Sequence, residues 1–119
     1  MVDLSQHTKK FQKELNSGIS SLILLSVLNR SNAPMYGYQI AKMLEESGPD
    51  ITMMKQGTLY PVLRSLEENE LLASMVEPSV SGPPRRYYQI TPAGRTALTE
   101  WVEIWQQTKT FVDSNLRGQ

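Results

Sequence analysis

The hydrophobic period changes from helical to alternating near Glu70, and that change limits the folds open to this chain. Upstream, Leu59, Val62, Leu63 and Leu66 recur at helical spacing and bury one stripe of a helix. Downstream, Leu71–Glu77 and Arg85–Thr91 alternate as strands, with Tyr88 and Ile90 opposed to Tyr87 and Gln89. Between the strands, residues 78–84 hold three prolines in seven positions, which forces a loop at a hairpin tip. The chain therefore passes from a helix directly into a two-stranded hairpin.

The segments on either side extend the pattern. Residues 5–16 form a thinly amphipathic helix with Phe11 and Leu15 among its few anchors. Asn16 or Ser17 caps a second segment, Ile19–Leu28, apolar on nearly every side and therefore central. Arg30–Pro34 is a turn, and Gly37–Glu46 places Ile40, Ala41 and Leu44 on one face. Residues 47–50 stop that helix, and a short connection leads to Thr58–Asn69. Thr58 is the expected cap there, with Pro61 tolerated inside the first turn. Thr91-Pro92 starts a last helix that runs to about Asn115. The expected class is mainly α with a small β-hairpin. A winged helix-turn-helix occupies residues 1–91, and a long C-terminal dimerisation helix occupies residues 92–119.

Composition excludes several functions. With 12 basic and 12 acidic residues, no net charge steers the chain to nucleic acid, so a DNA contact must rest on local patches. No Cys is present, and the only His is His7, so thiolate chemistry and Cys or His metal clusters are not expected. No glycine-rich phosphate loop follows a strand. An enzyme is not expected, nor a cofactor. The N-terminus lacks a charged region followed by an apolar run, and Ile19–Leu28 is half the length a bilayer needs. A soluble, cytoplasmic protein with no membrane contact is expected.

The outward surface of the helix at Thr58–Asn69 is unusual, because Thr58, Tyr60, Arg64 and Ser65 stand where solvated helices carry Lys and Glu. Arginine bonds guanine bidentately, hydroxyls bond bases or phosphates, and tyrosine takes phosphates. Two of these residues have a second reading. Tyr60 could pack inward beside Leu59 and Pro61, and Arg64 could pair with Glu67 or Glu68. Lys55 and Gln56 lie just before the helix, at its positive dipole end. In the hairpin, Arg85 and Arg86 form an adjacent basic pair next to the loop, suited to a narrow minor groove or to a solvated hairpin end. With Ile90 inward, Arg86 lies along the base of the hairpin and Arg85 reaches a phosphate. Of Tyr36 and Tyr38, one donates to a phosphate and the other packs in the core.

The last helix has an apolar stripe of Leu98, Trp101 or Val102, Trp105, Val112 and Leu116, widened by Ala97, Ile104, Thr108 and Phe111. A small domain needs only a narrow strip to dock it. The excess calls for a partner, by default a second copy in a two-fold homodimer. Trp101 and Trp105 then lie either in a dry interface or beside a pocket.

Three segments carry a family resemblance: Met35-Tyr36-Gly37-Tyr38-Gln39-Ile40, Gly57–Glu67, and Arg85–Gly94 with Arg86, Tyr87, Tyr88 and Thr91-Pro92. In this order and spacing the chain resembles the PadR family of bacterial transcriptional regulators over roughly residues 18 to 95. The resemblance implies a winged-helix repressor of double-stranded DNA. It also implies dimerisation through the C-terminal helix and release by a small molecule. The single C-terminal helix resembles the short, multidrug-responsive branch, whose pocket tryptophan corresponds by position to Trp105; a planar aromatic ligand would stack there. The competing class is a protein-interaction module that dimerises through the same helix without binding DNA.

Overall fold

Leucines from four helices meet on one side of a small sheet, and the chain order places them there. The computed structural model describes residues 3–47 and 56–118. In sequence order it contains α1 (Leu4–Arg30), β1 (Met35–Tyr36), α2 (Gly37–Ser47), α3 (Gln56–Glu68), β2 (Leu72–Glu77), β3 (Arg85–Ile90) and α4 (Pro92–Leu116). The core comprises Leu24, Leu25, Val27 and Leu28 of α1, Ile40 of α2, and Leu59, Leu63 and Leu66 of α3. Met35, Leu72, Tyr88 and Ile90 of the strands and Leu98 of α4 complete it.

The first helix differs from the sequence expectation. Residues 5–16 and 19–28 belong to one continuous helix of 27 residues rather than two. Asn16 and Ser17 do not cap a second helix, because the polar groups at this point are satisfied along the axis. The Ser20 hydroxyl donates to the Asn16 carbonyl at 2.5 Å. Gly18 lies within the helix and faces open space. The true N-cap is Asp3, whose carboxylate accepts from the Ser5 amide at 3.0 Å.

The sheet also has one strand more than the hairpin predicts. Met35 pairs with Tyr88 and Tyr36 with Tyr87, so a two-residue β1 joins β3 and the antiparallel order is β1-β3-β2. Two residues are too few to carry a period of their own. The hairpin itself matches its expected limits to within one residue, with Leu72 opposite Ile90 and Glu77 opposite Arg85.

Helix α3 begins at Gln56, two residues before Thr58, so Thr58 is helical and not the cap. Pro61 is the sixth residue and lies beyond the first turn. An interior proline costs about 3 kcal/mol. Leu59, Leu63 and Leu66 are buried on the same helix, each contributing roughly 1.5–3 kcal/mol, so burial outweighs the lost bond. The helix ends in a Schellman motif: the Leu71 amide bonds the Leu66 carbonyl and the Glu70 amide the Glu67 carbonyl, both at 2.9 Å. Glu70 supplies the left-handed residue, at φ 64°.

That corner is tied to α4. Thr91 caps α4 by accepting from the Gly94 amide at 2.9 Å, and its hydroxyl donates to the Glu70 carbonyl at 2.8 Å. A Cβ on Gly94 would lie 2.2 Å from the Leu71 carbonyl oxygen, so only glycine permits this approach. Beyond Trp101, at the end of its third turn, α4 leaves the core. The radius of gyration is 16.6 Å, against ~13.5 Å for a compact chain of this length.

Candidate nucleic-acid interface

The outward residues of α3 stand clear of the core. Thr58, Tyr60, Arg64 and Ser65 are exposed while Leu59, Leu63 and Leu66 are sealed behind them. Arg64 forms no ion pair with Glu67 or Glu68 among the described residues, where the pairs within 4 Å are Lys10–Glu14 and Lys109–Asp113. Its charge is open to a ligand. Gln56 is the first residue of α3. Lys55, the other candidate near this end, lies outside the described residues.

Tyr60 follows neither of its two readings fully. Its ring lies on Gly37 at the start of α2, where a Cβ would meet Tyr60 Cε1 at 2.5 Å and Oη at 2.6 Å. The ring stays 41% exposed, so it locks the two helices of the helix-turn-helix together and still presents a surface. A side chain at Gly37 would displace the Tyr60 ring from this position. The sequence shows both residues but not their contact, which joins two motifs twenty-three positions apart.

The two wing arginines leave β3 on opposite faces, as their alternation predicts. Arg85 lies beside Tyr36, its guanidinium carbon 4.5 Å from the ring centroid. Tyr36 in turn meets Tyr87 edge-on at 5.4 Å and stacks with Tyr38 at 6.4 Å. Its amide donates to the Gln39 side chain at 3.0 Å, which holds β1 against α2. Tyr36 is therefore a packing residue of this shelf, and Tyr38 is more than half exposed. Glu77 is the register partner of Arg85, yet the two form no ion pair within 4 Å; the arginine is held by aromatic rings and keeps its charge. Because Gly37 follows Tyr36 and lies under Tyr60, contact runs unbroken from Arg85 to the start of α3.

Arg86 is on the core-side face. Its Nη1 donates to the Ser74 hydroxyl of β2 at 2.9 Å, and Ser74 donates to Glu67 of α3. Tyr88 lies opposite Ser74 in the sheet. Burial, and then the nearby Glu67 carboxylate, push its phenol above the ordinary value, while Arg86 and Arg64 partly offset them. Nothing in the spacing of Glu67, Ser74 and Arg86 announces that they meet.

The apolar residues of α4 divide into two groups. Leu98 is buried in its own chain's core and is not open surface for a partner or pocket, whereas Trp101 packs against that core and stays half-buried. For Leu98 this corrects the sequence expectation, because the core reaches farther along α4 than a narrow docking strip requires. Val102, Ile104, Trp105, Val112 and Leu116 are exposed, with Trp105 at 38% and Phe111 at 70%. Thr108 is exposed among them. The opposite face carries the polar residues Glu103, Gln106, Gln107, Thr110 and Ser114, which line a shallow open depression together with Phe111.

No helix of the described residues is long and apolar enough to cross a membrane, and no group of three or more acidic or His side chains there could hold a metal. A helix-turn-helix followed by a two-stranded wing, with β1 completing the sheet, defines a winged-helix protein, and its exposed basic face is that of a DNA-binding regulator.

Residues 24–100 match the model of the Transcriptional regulator PadR-like family, and the chain belongs to that family of transcriptional regulators, which are not enzymes. A PadR family regulator from Eggerthella lenta has a similar crystal structure, with a TM-score of 0.78 and 32% identity over 93% of each chain. A PadR-like regulator from Bacillus cereus is similar at a TM-score of 0.71 and 28% identity, covering 89% of this chain and 99% of that one. A transcriptional regulator of Mycobacterium tuberculosis is 57% identical over 44 residues, 37% of this chain and 40% of that protein.

Proposed function

We propose that this chain is a homodimeric repressor, cytoplasmic like the DNA it reads, that binds a two-fold symmetric operator and releases it when a planar aromatic compound binds. The carrying observation is the unbroken contact from Arg85 through Tyr36 and Gly37 to Tyr60, which places a wing cation and the start of α3 on one rigid surface. In this reading Thr58, Tyr60, Arg64 and Ser65, with Lys55 and Gln56, meet the major groove and its phosphates. Arg85 and Arg86 meet the minor groove, and Tyr38 takes a phosphate. Residues 1–91 bind DNA, and residues 92–119 hold two copies at the spacing of two half-sites. Two subunits would neutralise on the order of 6–10 phosphates, so binding falls steeply with salt.

The support for the dimer is the exposed apolar face from Val102 to Leu116 on a helix whose opposite face is polar. The support for the ligand is Trp105 on that face, where two symmetry-related indoles would form an aromatic slab.

Footprinting on DNA upstream of the chain's own coding sequence, at low and moderate salt, tests the reading. Protection of two half-sites about one helical turn apart is expected. Arg64→Ala should weaken binding by about 1–3 kcal/mol and relax the base preference at one position per half-site. No protection at any salt overturns the reading and favours an interaction module. For the ligand, quenching of Trp fluorescence by a planar aromatic should be lost in Trp105→Ala; equal binding by both proteins sinks the pocket.

A further inference from the structure

Ser74 bridges a carboxylate and a guanidinium that could otherwise pair directly. A carboxylate only accepts hydrogen bonds and a guanidinium only donates them, so the serine between Glu67 and Arg86 must do both. Its single hydroxyl proton goes to the Glu67 carboxylate, and its oxygen accepts from Arg86 Nη1 at 2.9 Å. The direction is therefore unique: Arg86 to Ser74 to Glu67. The three residues come from three elements, β3, β2 and α3. Glu67 and Ser74 are half-buried, whereas Arg86 is exposed.

We propose that Ser74 and Glu67 are positioning residues for Arg86, and that their hydrogen-bond chain sets the wing at a fixed angle to α3. This rests on the reading of α3 and the wing as a DNA surface. A direct Glu67–Arg86 ion pair would neutralise the guanidinium and compete with a phosphate. With a neutral hydroxyl interposed, one of the five guanidinium donors is anchored and the charge is retained for DNA. The anchor on α3 is firm because Glu67 also lies in the Schellman turn, its carbonyl bonded by the Glu70 amide. A minor-groove arginine acts only if it arrives while α3 occupies the adjacent major groove. A link between the two elements meets that demand before DNA binds.

The test is a double-mutant cycle on operator affinity, read by fluorescence anisotropy with a labelled duplex cut from the footprinted region. Ser74→Ala should weaken binding about fivefold, the loss expected for one hydrogen bond. Ser74→Thr, which keeps the hydroxyl on a strand, should bind like the wild type. Glu67→Gln keeps the acceptor and should cost less than Ser74→Ala. The decisive comparison is in the Arg86→Ala background, where Ser74→Ala should have no further effect, since no guanidinium remains to be placed. A serine that merely supports the fold would cost as much in that background as in the wild type, and this result overturns the proposal. So does normal binding by Ser74→Ala. If the wild type binds no duplex at any salt, the DNA reading falls and this proposal with it. Additive losses on an intact wild-type affinity remove this proposal alone.

Discussion

The second half of α1 and the second half of α4 both carry an apolar face, yet Leu24, Leu25, Val27 and Leu28 are sealed while Val102, Trp105, Val112 and Leu116 face solvent. The difference lies in their surroundings. The α1 segment is enclosed by α3, the sheet and the first turns of α4, whereas α4 runs past all of them after Trp101. An apolar stripe shows that a face must be covered; it does not show which chain covers it. In α1 the covering is intramolecular. For α4 a second copy is the proposed cover.

The sharpest way to break this comparison is to truncate one leucine on each side. Leu63→Ala, inside the sealed core, should lower the unfolding free energy by about 2–5 kcal/mol in urea denaturation, independent of protein concentration. Leu116→Ala should shift the midpoint only in a concentration-dependent way, through the monomer–dimer equilibrium. A concentration-independent loss at Leu116 would mean that the face is covered within one chain.

The two long helices can also be compared through their glycines. Gly94→Ala drives a Cβ into the Leu71 carbonyl and should destabilise by about 1–3 kcal/mol in the same assay. Gly18→Ala, in open space within α1, should instead stabilise by roughly 0.5–1 kcal/mol. Were Gly18→Ala destabilising, something would cover that side of α1 in solution.

Smaller effects sharpen the picture further. The Tyr88 phenol has a folded pKa above its ordinary value of 10.0, so the folded state holds its proton where the unfolded chain has lost it. The associated stability is present below pH 10 and is lost as pH rises through the folded pKa. Tyr88→Phe should flatten that alkaline decline, and an unchanged slope would assign the decline elsewhere. The smallest effect is expected at the exposed Lys109–Asp113 pair on α4: Lys109→Ala should cost no more than about 0.5 kcal/mol and be masked by salt.

Much of the fold was legible because its signals are periodic or chemical. The stripe of α3, the alternation in β3, the proline-rich tip and the Thr91-Pro92 start each follow from local rules. The errors came where a local rule met a stronger neighbour. Asn16 and Ser17 look like caps, but α1 runs through both without a break. Thr58 and Pro61 suggest a start at Thr58, but the helix begins two residues earlier, at Gln56, and its buried leucines hold Pro61 in the interior. The candidate surface was legible residue by residue, since Thr58, Tyr60, Arg64, Arg85 and Arg86 are all exposed. What each of them touches was not.

The sequence by itself determined the order of elements from α2 through the hairpin to α4 and which faces are apolar, because period, capping and proline act within a few residues of one another. It also determined the family, through three spaced motifs. Only the tertiary structure decided that Tyr60 lies on Gly37, that Arg85 stacks on Tyr36 and that Arg86 reaches Glu67 through Ser74. Those contacts join residues far apart in the chain, and their geometry depends on how the elements pack. The tertiary structure also decided where the core ends along α4, since that limit depends on how much apolar surface the other elements had left to offer.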